Sequence, residues 1–414
     1  MQVVTPAAAI AAIPDGSTVV MPGGCAEPLA LYEAFAAGIE RFSALTVCSG
    51  FAFGRYGYLA RGLGTHFRFV TWQASAQLRA LFKENDPRKI GFVPLRLGDV
   101  HRVIRRGGPI EPDVVVVQTS PPTPQGDVSL GISVGAFPDF IASAKLVIAE
   151  FNANMPVTAG DSRIPLSRID YATESATPLC SYRTPPAQER DRRIVEHVLE
   201  LVPDEAWVQL GIGAVPDRVL SRLGEKRGVQ LFSGLLTRGL QDFVEGARHD
   251  PQIVVGELAG DQAFYDWCGR TPAVRMAPTR VTHDVPRVAA LPRFVSVNSA
   301  VEIDLQGQSN GETLGALQIS GVGGAMDYVE AATMSAGGLS IIALPSTTED
   351  GKHSKIVARL AAGAPVTTPR FAIDVVVTEY GVARLRGKEL FARAEALIAI
   401  AHPEFRDALA NGLG

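Results

Sequence analysis

Six segments of this chain are built on continuous apolar runs of strand length: VVVVQ (114–118), KLVIAE (145–150), WVQLG (207–211), QIVVGEL (252–258), LSIIAL (339–344) and DVVVTE (374–379). A strand with one wet face alternates polar and apolar residues. A strand without that alternation needs cover on both faces, as in a parallel sheet flanked by helices. Helical stretches fall between the runs, among them EPLALYEAFAAGIERF (27–42) and PDRVLSRLGEKRG (216–228). Together they predict an α/β architecture with mainly parallel sheets. The 414 residues suffice for two domains of ordinary size, and 46% apolar against 20% charged residues suits packed cores.

A repeat supports two related halves. IPDGSTVVMPGGCAEP (13–28) and VPDEAWVQLGIGAVP (202–216) share one order: an apolar residue, Pro-Asp, a strand, a glycine turn, then a proline opening a helix. Proline suits a first helical turn because its missing N–H has no intrahelical partner there. The Pro-rich and then charged YRTPPAQERDRR (182–193) reads as the seam. The expected division is therefore an N-terminal α/β domain over 1–183 and a C-terminal one over 184–414.

A formal net charge of −4 gives no basic field for nucleic acid. No apolar stretch of membrane-spanning length lacks Pro, Gly or charge, and MQVVTPAAAIAAIPDG has no cationic start of the signal-peptide kind. Cys25, Cys48, Cys180 and Cys268 lie far apart without CxxC spacing, which predicts reduced thiols in the cytoplasm. The seven histidines show no clustered ligand spacing, so no metal is expected.

Three motifs carry candidate chemistry. GIGAVP (211–216) is a strand, a glycine turn and a helix start, where backbone N–H groups and the helix dipole favour an anion or oxyanion. QISGVGGAMDYVEAA (318–332) sets Gly321, Gly323 and Gly324 before Asp327 and a helix; it is neither a Walker loop nor a Rossmann fingerprint. NSAVEIDLQGQSNGETLG (298–315) runs from a half-buried strand into a Gly-flanked turn with Asn310 and Glu312. In the first half, SGFAFGRYGYLARG (49–62) reads as a glycine-broken aromatic loop, whose Arg55, Tyr56 and Tyr58 suit a carboxylate or phosphate. Cys25 is a small cysteine of the kind more often packed in a core than used as a nucleophile.

GIGAVPDRVL, NSAVEIDLQGQSNGET, SGVGGAMDYV, SIIALPST, VTTPR, VTEYGVARLRGKEL and ALIAIAHPEFR, in this order, resemble the acetyl-CoA hydrolase/CoA-transferase family, as do SPPTPQGDVSLGISV and AEFNANMPVTAGDSRIPLSRIDY. The resemblance spans residues 13 to 407. It implies two domains of the CoA-transferase type (NagB/RpiA-like) facing each other across the active site, and action on a CoA thioester, as a CoA-transferase or an acyl-CoA hydrolase. It also implies a homodimer with acyl-CoA and a small carboxylate as partners. On the coenzyme A side it points to Gly211, Ile212, Gly213, Ala214, Val215, Asn310, Glu312, Gly321, Gly323, Gly324, Asp327 and Ser346. On the substrate side it adds Gly24, Asn154 and Met155 to Arg55, Tyr56 and Tyr58.

Family transferases use a glutamate that attacks the thioester, giving an acyl anhydride and then a glutamyl-CoA thioester. Covalent relay divides one hard step into two easier ones. Matching LFSGLLTRG (231–239) to the family pattern puts Gly234 at that glutamate, and no acidic residue lies between Gly228 and Gln241. Such a gap leaves space for water or a bulkier acyl group. Two replacements stand out: Ser233, beside the gap but with no histidine near in sequence, and Glu257, in VVGELAGDQ at a strand end. The rival reading is a homologue that binds acyl-CoA without turnover.

Overall fold

A computed structural model describes every residue except Ala52, Gly54, Arg55, Asn85, Leu413 and Gly414. Arg55, a candidate from the sequence, lies outside the described residues. The chain forms two compact units, Met1–Arg183 with Val254–Thr282, and Thr184–Ile253 with His283–Gly414. The segment Val254–Thr282 thus groups with the first unit rather than with the second half, where the sequence division put it.

The first unit is built on β1 (Gln2–Val3), β2 (Thr18–Val20), β3 (Leu45–Ser49), β4 (Phe67–Thr71), β5 (Ile90–Phe92), β6 (Val114–Thr119), β7 (Leu146–Asn152) and β8 (Tyr171–Ser175). They lie in the order β1-β8-β7-β6-β2-β3-β4-β5, and every pairing is parallel. All six residues of β6 are buried, as the unbroken valine run requires. Helix α1 (Leu29–Ala37) follows β2. Its N-cap, Pro28, offers no side-chain cap. The cap comes from β7 instead: Glu150 accepts the Leu31 N–H at 3.1 Å and the Ser175 hydroxyl at 2.7 Å. Burial raises the Glu150 pKa, and these hydrogen bonds oppose the rise.

The second unit carries β9 (Trp207–Leu210), β10 (Gln230–Thr237), β11 (Phe294–Asn298), β12 (Leu339–Ala343), β13 (Val375–Thr378) and β14 (Gly381–Arg384). Their order is β14-β13-β12-β11-β9-β10, parallel except for the β13–β14 pair. The order β13-β12-β11-β9-β10 repeats β8-β7-β6-β2-β3, so the two Pro-Asp stretches feed equivalent strands. Helix α2 (Glu189–Leu201) begins inside the charged stretch read as a seam, because Gln188 and Asp191 close a capping box. Helix α3 (Ala214–Arg222) follows the GIG turn, and α4 (Gly239–Gly246) follows β10.

The aromatic stretch 49–62 is not wholly a loop. Gly57–Gly62 is helical, and Tyr56 and Tyr58 are buried, at 5% and 0% exposure. Tyr58 packs edge-on against Tyr32 and Phe35, both at 5.4 Å, and stacks on Tyr56 at 5.2 Å. Aromatic contact energy outweighs the loop tendency of the glycines. These tyrosines are packed in the core rather than displayed on an open loop. The Tyr58 hydroxyl has no hydrogen-bond partner among the described residues. Tyr58→Phe is therefore expected to keep or raise the thermal midpoint, while Tyr58→Ala should cost about 3–5 kcal/mol in a denaturant titration.

Candidate active site

In the first unit, residues 254–259 of the strand Ile253–Ala259 run beside residues 130–135. Leu258 N–H donates to the Ile132 carbonyl at 2.8 Å, and Val134 N–H to the Gly256 carbonyl at 3.0 Å. Ser133 and Glu257 face each other between these bonds as an antiparallel bridge. The Ser133 hydroxyl stands close enough to the Glu257 carboxyl to pull its pKa down. A Cβ on Gly135 would lie 2.6 Å from Glu257 Oε1, so the missing side chain is the space the carboxylate occupies. Enclosure of the Glu257 carboxyl raises its pKa to about 8, against a smaller lowering by Ser133.

Nearby in the same unit is Cys25, whose thiol burial pushes up to about 12; it stays a neutral thiol at working pH. The Tyr265 hydroxyl contacts the Cys180 carbonyl at 2.9 Å and the Gly260 carbonyl at 2.8 Å. Glu27, 1% exposed, accepts the Phe53 N–H at 3.1 Å. Gly24 sits at φ +67 and bonds the Phe51 carbonyl. Asn154 is held by the Ala176 and Thr177 carbonyls, and buried Met155 fills the space above Gly131. Both brace the segment after β7.

In the second unit, the GIG turn closes β9 onto α3. Gly213 is the N-cap at φ +124, a conformation open to glycine and strained for other residues. Ala214 and Val215 open the helix, and Ile212 is an exposed apolar residue at the turn. Asp217 accepts from Thr237 Oγ1 and from Gly239 N–H at 3.1 Å, tying α3 to the start of α4. Gly321 and Gly323, the latter at φ +61, lead to Gly324, the N-cap of α5 (Ala325–Met334); Asp327 lies buried in its first turn.

Three coenzyme-side candidates are engaged within the protein. The Asn310 side chain accepts from Glu312 and Thr313 N–H at 3.0 Å and donates to Glu302 at 3.1 Å, which shapes the turn. Glu312 accepts from Thr367 at 2.9 Å. The Ser346 hydroxyl donates to Glu379 at 2.7 Å and is fully buried. These hydrogen bonds fix the turn at 310–313 and tie Ser346 to Glu379. Glu379, missed from the sequence, is the strand-end carboxylate of VTEYG.

The gap at Gly234 is already filled. A Cβ there would meet His283 Cε1 and Nε2, both at 2.8 Å, and the Tyr328 hydroxyl at 3.2 Å. The same imidazole would meet a Cβ on Gly324 at 2.3 Å. Gly234 therefore opens no room for water or an acyl group. A histidine is near after all, but Ser233 does not use it: its hydroxyl donates to the Leu210 and Leu235 carbonyls, both at 3.1 Å, and is fully buried. Burial lowers the His283 pKa to about 3, so the ring is neutral at working pH.

Among the described residues no group of three or more His, Cys, Asp or Glu is placed to hold a metal, and no helix is long and apolar enough to cross a membrane. The chain belongs to the acetyl-CoA hydrolase/transferase family: the N-terminal domain model matches residues 1–179 and the C-terminal one residues 260–413. It is an enzyme of CoA thioester transfer or hydrolysis. It is 36% identical to the 4-hydroxybutyrate coenzyme A transferase of Clostridium kluyveri, over 99% of this chain and 96% of the relative. RipA from Yersinia pestis superposes with a TM-score of 0.92 at 30% identity, covering 99% of this chain and 96% of RipA. The 4-hydroxybutyrate CoA-transferase of Porphyromonas gingivalis does so at 0.83 and 29%, with the same coverage.

Gly234→Ala should cost about 1–3 kcal/mol by crowding the imidazole. His283→Ala should relieve that cost, so the double variant is more stable than the two single losses predict. Additive losses in urea titrations would count against the shared niche.

Proposed function

We propose that this enzyme moves coenzyme A between a short-chain acyl-CoA and a carboxylate, with Glu257 as the covalent nucleophile. The observation that carries the reading is the enclosed Glu257 carboxyl, held opposite Ser133 and against the bare backbone of Gly135. The named activity of the Clostridium kluyveri relative supports the substrate class.

In the first step the ionised carboxylate attacks the thioester carbonyl. The carbon–sulfur bond breaks, the CoA thiolate leaves, and an acyl–glutamyl anhydride remains. The thiolate attacks the glutamyl carbonyl and releases the free carboxylate, leaving a glutamyl-CoA thioester. An incoming carboxylate reverses the sequence: it forms a new anhydride, CoA departs and then attacks the acyl carbon, and Glu257 is regenerated. A poorly hydrated carboxylate is a stronger nucleophile once ionised. We assign the GIG turn and the loop Gly321–Gly324 to the coenzyme, because backbone N–H groups at helix starts suit its anionic groups. We also read the enzyme as a cytoplasmic homodimer. Its four free cysteines support the compartment, and the family resemblance supports the dimer. Light scattering that returns the mass of one chain would remove the dimer.

The test pairs acetyl-, propionyl- or butyryl-CoA with isotope-labelled acetate or 4-hydroxybutyrate. Labelled acyl-CoA is the expected product; free CoA alone would mean hydrolysis, and neither would leave a binding protein. Glu257→Gln should lower exchange at least about a thousandfold while CoA still binds. It should also lose the CoA-sized mass increase on the peptide that carries residue 257.

The pH dependence has a definite sign. Below about 8 the carboxyl of the free enzyme is largely protonated, so kcat/KM should climb with pH through that value. Folding raises this pKa from 4.5, so its stabilising contribution is complete below 4.5 and is lost as pH rises to about 8. Glu257→Gln should accordingly melt higher than the parent at pH 9.

A further inference from the structure

Antiparallel pairs come in two kinds. In the one flanked by hydrogen bonds of the preceding and following residues, the α-carbons approach to about 4.5 Å and the side chains leave on one face, in contact. The bonds from Leu258 to Ile132 and from Val134 to Gly256 make Ser133 and Glu257 this closer kind. Two residues further along sits Gly135. Its φ of +43 and lack of a side chain leave the carboxylate oxygen in the place of a Cβ. Thr279 N–H fixes the Gly135 carbonyl at 2.8 Å, so this end of the cradle is tied down as well.

We propose that Ser133 and Gly135 are the positioning residues of the nucleophile: Ser133 holds the Glu257 carboxylate through its hydroxyl, and Gly135 leaves the one space into which that carboxylate turns. This rests on the assignment of Glu257 as the nucleophile. A hydroxyl donated to a carboxylate favours the charged form, so Ser133 also opposes the effect of burial. Residues 130–136 carry no other ionisable group. The neighbouring turn brings the neutral Cys25 thiol and Glu27, and the adjacent strand Val274–Met276 brings the exposed Arg275.

Ser133→Ala, Ser133→Thr and Gly135→Ala test this in the full-length enzyme, with Glu257→Gln alongside. In Ser133→Ala the rising limb of the kcat/KM profile should move up by about one to two pH units. Exchange should then fall about tenfold or more at pH 7 and recover to within about fourfold at pH 9.5, with KM for acyl-CoA nearly unchanged. Ser133→Thr should restore the limb, since it keeps the hydroxyl. Gly135→Ala should lower kcat at every pH. A Ser133→Ala enzyme with a parental melting temperature and an unmoved limb would overturn the proposal, whether its rate were normal or uniformly low. If Glu257→Gln still exchanged CoA, the nucleophile assignment would fall, and the role of Ser133 with it. If Glu257→Gln were dead and the Ser133→Ala limb unmoved, only the positioning role would fall.

Discussion

The close pairing of residues 130–135 with the end of the strand Ile253–Ala259 is the constraint on which the proposed active site depends. A carboxylate in a poor dielectric is costly unless something holds it. Here burial outweighs the Ser133 hydroxyl and moves the Glu257 pKa up to about 8, while Gly135 yields the side-chain volume that the carboxyl occupies. The pairing also explains why Val254–Thr282 groups with the first unit: two backbone hydrogen bonds flank Glu257, and a third ties Thr279 to Gly135. The backbone of Glu257, the proposed nucleophile, has little freedom, which is what covalent catalysis asks of an attacking side chain.

Glycine serves a second purpose around His283. Gly234 and Gly324 come from separate elements, and one neutral imidazole occupies the side-chain space of both. Tyr328 lies at 4.8 Å from that ring and stacks on Phe294 at 6.2 Å, so the niche continues into the packed core. Burial keeps the imidazole uncharged, so the ring fills the niche as a neutral group.

Much of the fold was legible because a parallel sheet covered on both faces leaves a direct trace: valine and isoleucine runs without alternation. The glycine turn of GIGAVP was legible for a similar reason, since φ +124 at Gly213 strains any other residue. Tyr56 and Tyr58 misled because glycine spacing signals a loop, whereas ring packing against Tyr32 and Phe35 is a tertiary effect with no local signature. The space expected at Gly234 is absent for a related reason. An ungapped match shows which residue is missing but not which residue fills the space, and His283 is distant in sequence. Glu257 was visible only as a carboxylate at a strand end; Ser133 and Gly135, which give it a setting, meet it through long-range pairing. Asn310 and Ser346 stood out as motif residues, and in the fold they hydrogen-bond within a turn and to Glu379.

The shared niche of Gly234, His283 and Gly324 has a consequence for exchanging parts between relatives. The three positions form one steric unit spread over three segments of the chain. A transplanted β10 that brought a larger residue at 234 would collide with a ring it never met in its parent, however well its hydrogen-bond register matched. Chimeras cut between these segments would inherit that mismatch, while those that carry all three together would keep the fit.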